Sequence, residues 1–118
     1  MKTLSLLVSV LIGLSGCATA QSAPEDAGVG RCVVLLHGLA RTETSFAVME
    51  AALETEGYRI VRPGYPSTEA PVEELTRRTL PDAMAQCGTE KVDFVTHSMG
   101  GILLRQYVVE NGADRVGR

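Results

Sequence analysis

The sequence predicts an α/β fold, a three-layer α/β/α arrangement built on a parallel sheet. Two strand-like runs carry that expectation: Cys32 to Leu36, C-V-V-L-L, and Val92 to Thr96, V-D-F-V-T. A continuous β-branched and leucine run such as the first is what a strand buried on both faces requires. The segments between the runs place apolar residues at helical spacing, so strand and helix alternate along the chain, the pattern of right-handed crossovers with helices on both faces. The third observation is positional. The polar and glycine interruptions after Leu36 and after Thr96 fall at the carboxyl ends of the strands, where ligands sit in such sheets.

Taken in order, the first strand, Cys32 to Leu36, ends at His37-Gly38. Phe46, Met49, Ala52 and Leu53 then recur at helical spacing, with Thr42 or Thr44 available as amino-terminal cap and Gly57 placed to stop the helix. Tyr58 to Val61 reads as a short second strand, ended by the turn-rich Pro63-Gly64-Tyr65-Pro66-Ser67. A second helix is expected from Pro71, at its first turn, to Gln86, with Cys87-Gly88 at its end. Pro81 lies inside that span, where a proline costs about 3 kcal/mol, so a break near Leu80 is expected. Val92 to Thr96 is the third strand, and Met99 to Glu110 the third helix, closed by Asn111-Gly112. With no fourth strand, Val92 to Thr96 is expected to be an open, aggregation-prone edge.

At 118 residues, 45% hydrophobic and 21% charged, the chain has the composition of one small globular domain. A net charge of −3 and only 4% aromatic residues provide neither a basic stripe nor stacking platforms, which argues against a nucleic-acid partner. Lys2 precedes an apolar run, Leu4 to Leu14, too short for a stable membrane span and the right size for a signal-peptide core. Leu14-Ser15-Gly16-Cys17 resembles the lipobox of bacterial lipoproteins, in which the cysteine is lipidated and becomes the mature amino terminus. Ala18-Thr19-Ala20 also fits an A-x-A cleavage site that would free a soluble chain from Gln21, and a buried amino-terminal helix is the blander alternative. The domain reading is residues 1–17 as signal peptide with lipobox, 18–30 as flexible tether (Q-S-A-P-E-D-A-G-V-G from Gln21) and 31–118 as the fold. Such a chain is exported and held in the bacterial envelope by its lipid, a secreted or periplasmic soluble form being the alternative.

Ser98 raises the chemical question, because T-H-S-M-G-G turns a buried strand into a helix at a hydroxyl. A serine at a strand end is ordinarily a turn residue. Here two glycines follow it, and a His-Gly step stands at the end of the first strand. On Leu36-His37-Gly38-Leu39 and Thr96-His97-Ser98-Met99-Gly100-Gly101, the chain resembles the amino-terminal half of an α/β-hydrolase of the lipase and esterase type. The resemblance covers residues 31–118 and implies that Ser98 is the nucleophile at an elbow and that the backbone N–H groups of Leu39 and Met99 form the oxyanion hole. His37, Gly38, His97, Gly100 and Gly101 support them. Thr96 stands where the family usually has glycine.

Neither histidine suits the role of general base: neighbouring strand side chains face opposite ways, so His97 points away from Ser98, and His37 belongs to the amide-supplying loop. Asp93 lies at the wrong end of its strand to orient a base. In the family the acid and the histidine follow the serine, and no histidine follows His97. The expectation is therefore an incomplete α/β-hydrolase fold, a truncated fragment of a serine hydrolase that cleaves carboxylic, including lipid, esters through an acyl-enzyme on Ser98, without cofactor. Its partners would be the ester substrate and, through the lipidated amino terminus, the membrane. An acyltransferase or thioesterase parent, or a non-catalytic exported lipoprotein fragment or binding module, remains the alternative.

Cys32 and Cys87 are an even pair in an exported chain, open to a disulfide or to two buried thiols. The family's strand order, with first and third strands adjacent, implies that they lie within bridging distance. With no Cys-x-x-Cys or Cys/His cluster, no metal site is expected.

The lipobox reading predicts that mass spectrometry of the membrane fraction finds a mature chain beginning at diacylated Cys17, and that Cys17→Ala blocks processing or releases the protein. A soluble chain starting at Gln21 would contradict it.

Overall fold

The computed structural model describes residues 30–118; the signal peptide, Cys17 and all of the tether except Gly30 lie outside the described residues. Strands β1 (Cys32–Leu36), β2 (Arg59–Val61) and β3 (Val92–Thr96) form one parallel sheet in the order β2-β1-β3. Helices α1 (Ala47–Thr55), α2 (Val72–Gln86) and α3 (Met99–Asn111) connect and follow them, and a short 3-10 turn (Glu43–Phe46) leads into α1. Cys32 stands opposite both Arg59 and Val92, so all three strands start at one edge and deliver their carboxyl ends to the other.

The central strand explains the layering. All five residues of β1 are buried, and alternate side chains point to opposite faces. Cys32, Val34 and Leu36 join Leu75, Leu80 and Met84 of α2 and Leu103 of α3 in one core. Val33 and Leu35 face the other way, against Phe46 and the partly buried Leu53 and Ile60. A three-layer α/β/α sheet follows, as the sequence predicts.

Three local expectations are corrected. Helix α2 runs unbroken through Pro81. The proline is exposed, so the Arg77 carbonyl that loses its helical partner can turn to water. The opposite face seats Leu75, Leu80, Ala83 and Met84 at 0–2% exposure. Burying large apolar side chains is worth about 1.5–3 kcal/mol each, which together outweighs the proline cost of about 3 kcal/mol. Secondly, neither Thr42 nor Thr44 caps α1: their hydroxyls pair with each other at 2.6 Å, and the 3-10 turn that contains Thr44 and leads into α1 inserts Phe46 under the sheet. Thirdly, β2 begins at Arg59 rather than Tyr58, because the Tyr58 N–H donates to Leu53 O at 3.1 Å and so belongs to the end of α1.

The outer side of β3 is also less bare than expected. Val92 N–H donates to Arg115 O at 2.8 Å, Gly117 N–H to Val92 O at 2.8 Å, and Phe94 N–H to Arg118 O at 2.7 Å, with Val92 and Val116 forming a parallel bridge. Asp93 fastens this segment: its carboxylate accepts from Arg31 at 2.7 Å and from the Arg118 N–H at 2.9 Å. Only the Thr96 half of the edge has no such neighbour among the described residues.

Cys32 and Cys87 are joined by a disulfide, with Cα atoms 5.6 Å apart and a sequence separation of 55. It ties the start of β1 to the end of α2 at the amino edge of the sheet, where Arg59 also donates to Cys87 O at 2.8 Å. Closing a loop of this length in the unfolded chain predicts that reduction lowers stability by about 2–4 kcal/mol. Urea unfolding of oxidised and reduced protein checks this; coincident midpoints would contradict it.

Candidate active site

Ser98 is built into a forced turn. It joins β3 to α3 with φ 51° and ψ −116°, and Ala40 is the only other non-glycine residue with positive φ among the described residues. A serine there stores strain that surrounding contacts must offset. His97 N–H donates to Leu36 O at 3.0 Å, docking the turn on the end of β1, while Gly100 and Gly101 N–H groups close it onto His97 O and Ser98 O, each at 3.0 Å. Gly100 is required by approach rather than by φ: a Cβ there would collide with the Leu36 carbonyl. Thr96, at the position where the resemblance leads one to expect glycine, is accommodated by Gly101. A Cβ on Gly101 would stand 3.3 Å from Thr96 Oγ1, so the missing side chain has moved from one side of the turn to the other.

The loop after β1 is shaped as closely. Gly38 lies under the His97 ring, where an added Cβ would sit 2.6 Å from His97 Nδ1. Ala40 has φ 53°, and Arg41 N–H returns to Gly38 O at 3.2 Å, making a tight turn that leaves Leu39 57% exposed. Around the two turns, the N–H groups of Ala40, Arg41, Gly100 and Gly101 all find acceptors. Those of Leu39 and Met99 find none among the described residues. Both uncommitted donors therefore lie at the carboxyl ends of adjacent strands, and Met99 opens α3, whose amino-terminal dipole favours negative charge.

Neither histidine engages Ser98. His37 is fully buried; its Nδ1 donates to Gly38 O at 3.0 Å, and its ring stacks on Tyr65 with centroids 3.9 Å apart and planes 11° from parallel. His97 packs on Gly38, and no hydrogen bond joins either imidazole to Ser98 among the described residues. Asp93 sits at the opposite end of the sheet, paired with Arg31. His37, Gly38, Arg41, Ser45, Phe46 and His97 line an open cavity of about 280 Å³ beside the two turns.

Sequence reasoning missed two residues, Tyr65 and Ser67, from the loop after β2. The Tyr65 hydroxyl donates to His37 O, and Ser67 Oγ accepts from Ala40 N–H at 3.0 Å. Together they hold the loop whose Leu39 N–H is free. The signal that could have found them is the Gly-Tyr-Pro-Ser turn itself, polar residues at the third strand end of one sheet edge. Burial pushes the Tyr65 hydroxyl up to about 12, keeping it a donor.

A tyrosinate absorbance titration should therefore show one of the three tyrosines ionising last, near pH 12, and lose that step in Tyr65→Phe. Because the folded value lies above the ordinary 10.0, the Tyr65 contribution to stability is intact below pH 10.0 and is lost as pH rises toward 12, so the wild type weakens over that window more steeply than Tyr65→Phe. Equal slopes would contradict the assignment.

A family model described as the alpha/beta hydrolase family matches residues 33–117. Two solved structures share the fold. One is an extracellular α/β-hydrolase from a Paenibacillus species, described as sharing structural and functional homology with tobacco salicylic acid binding protein 2, at 21% identity and a TM-score of 0.62 over 73% of this chain. The other is the esterase EaEST from Exiguobacterium antarcticum, at 26% identity and a TM-score of 0.63 over 75% of this chain. The chain spans 37% and 36% of the lengths of those two proteins. No curated protein matches the sequence. With the family model covering most of the residues, and with the strand-turn-helix at Ser98 and the loop at Gly38 on adjacent strand ends, this chain belongs to the α/β-hydrolase family.

Proposed function

We propose that this chain supplies the nucleophile half of a serine esterase acting on carboxylic esters, lipid esters among them. The observation that carries the reading is Ser98, held at φ 51° between β3 and α3, with uncommitted N–H groups on Met99 beside it and on Leu39 at the neighbouring strand end. Ser98 Oγ attacks the ester carbonyl, and the carbonyl oxygen becomes an oxyanion that the two N–H groups receive. Collapse expels the alcohol and leaves an acyl group on Ser98, which water then removes by the same route. Losing one oxyanion donor costs about 2.7–4 kcal/mol of barrier lowering.

Proton transfer needs a base, and neither His37 nor His97 is placed to serve. In this reading the base and its orienting acid come from residues other than those described, in keeping with the 36–37% of the solved relatives that the chain spans. A working triad that loses its histidine loses about 10⁶ in rate. The exported, lipid-anchored location belongs to the same proposal and rests on the lipobox at Cys17.

The test is labelling by a serine-directed phosphonate together with ester hydrolysis, on the 118-residue chain, on the product of a longer reading of the same gene that adds an Asp or Glu and a His, and on that longer product carrying Ser98→Ala. The expected outcome is rapid labelling and turnover of the longer product only, abolished by Ser98→Ala. Turnover by the 118-residue chain that depends on Ser98 would place the base within it and overturn the divided site; a longer product that does not label would overturn the esterase reading.

A further inference from the structure

The cavity beside the Gly38 turn is distinguished by its charge. Of its six wall residues, Arg41 alone is formally charged, and no carboxylate is among them. The other arginines of the described fold are largely occupied: Arg31, Arg62, Arg78 and Arg118 pair with carboxylates, and Arg59 and Arg115 donate to main-chain carbonyls. Arg77 and Arg105 lie on exposed helix surface. The Arg41 guanidinium has neither an ion-pair nor a hydrogen-bond partner among the described residues, yet its backbone is fixed by the N–H bond to Gly38 O, next to the free Leu39 N–H.

The chemistry of the cavity wall favours an anionic occupant. A hydrocarbon group filling the cavity would bring an apolar surface to an unpaired guanidinium, which is unfavourable. A carboxylate suits it, because the planar guanidinium fork matches a carboxylate in two parallel bonds.

Resting on the esterase reading above, we propose that Arg41 is a specificity residue and that the preferred substrate is an ester carrying a carboxylate on the part that enters the cavity. This narrows the substrate class from carboxylic esters in general to half-esters and their relatives. Because Arg41 is exposed, its attraction is screened by salt and modest, roughly tenfold in affinity at low ionic strength.

The experiment reads binding rather than turnover, so it does not depend on a base. Amide chemical shifts of the mature chain are followed on titration with methyl hydrogen succinate, which is anionic, and with dimethyl succinate, its neutral counterpart. The expected result is roughly tenfold tighter binding of the half-ester, with shifts at Leu39, Arg41 and Ser45, a preference that shrinks with added salt, disappears in Arg41→Gln and is reduced but not abolished in Arg41→Lys. Equal binding of the two esters, no binding of the half-ester, or a preference that survives Arg41→Gln would overturn the proposal. A preserved preference in a protein whose longer gene product never labels at Ser98 would instead sink the esterase reading and leave Arg41 as a carboxylate-binding residue.

Discussion

The carboxyl end of β1 is the point on which the rest of this molecule depends. Leu36 contributes a fully buried side chain to the core, and its carbonyl accepts from His97 N–H at 3.0 Å. The same carbonyl is the surface against which Gly100 brings the first turn of α3. One peptide group thus fixes where β3 stops, how sharply the chain turns at Ser98 and where α3 begins. A methyl group at position 100 would force α3 off the sheet, and the Ser98 conformation, which has no support of its own, would relax with it. Interiors packed this closely transmit such displacements rather than absorbing them.

The site is a junction of three strand ends. β1 supplies the Gly38 turn, β3 the Ser98 turn, and β2 the Tyr65 and Ser67 side chains that brace the first of these. Arg62 adds a further tie, donating to Glu43 O at 2.7 Å and pairing with Glu50 of α1. The two non-glycine residues with positive φ among the described residues, Ala40 and Ser98, both lie in this junction. Strain is concentrated where the free N–H groups are, and the loop after β2 holds its share in place through two side-chain bonds to the backbone.

Much of this could be read from the sequence because it follows from period and from glycine. The short continuous apolar run at Cys32 to Leu36, rich in β-branched residues, reads as a doubly buried strand, and the bounds of β3, Val92–Thr96, follow from a similar run ending at a polar turn. The turn at Ser98 was legible because two glycines follow it. What was not legible depended on the far side of a contact. Pro81 looks like a helix breaker until one knows that it faces water while Leu80 and Met84 face the core. Thr96 looks too large until Gly101 is seen opposite it. Tyr65, Ser67 and Arg41 carry no periodic signal, since their partners, His37 O, Ala40 N–H and an open cavity, are set by how loops from different strands meet.

The disulfide and the Asp93 ion pair lie at the opposite edge from the chemistry. The Cys32–Cys87 bridge, the Arg31–Asp93 pair and the bonds from Arg59 and Arg115 to carbonyls of the loop before β3 all lie near the amino ends of the strands. A five-residue strand is about 17 Å long, so the two ends are far enough apart for their energetics to be nearly independent. The loops that choose a substrate can then vary in sequence, and even accumulate destabilising residues, without touching the fastenings that keep the sheet together. In evolutionary terms the molecule has an anchored end and a free end, and new specificities can be tried at one while the other stays constant.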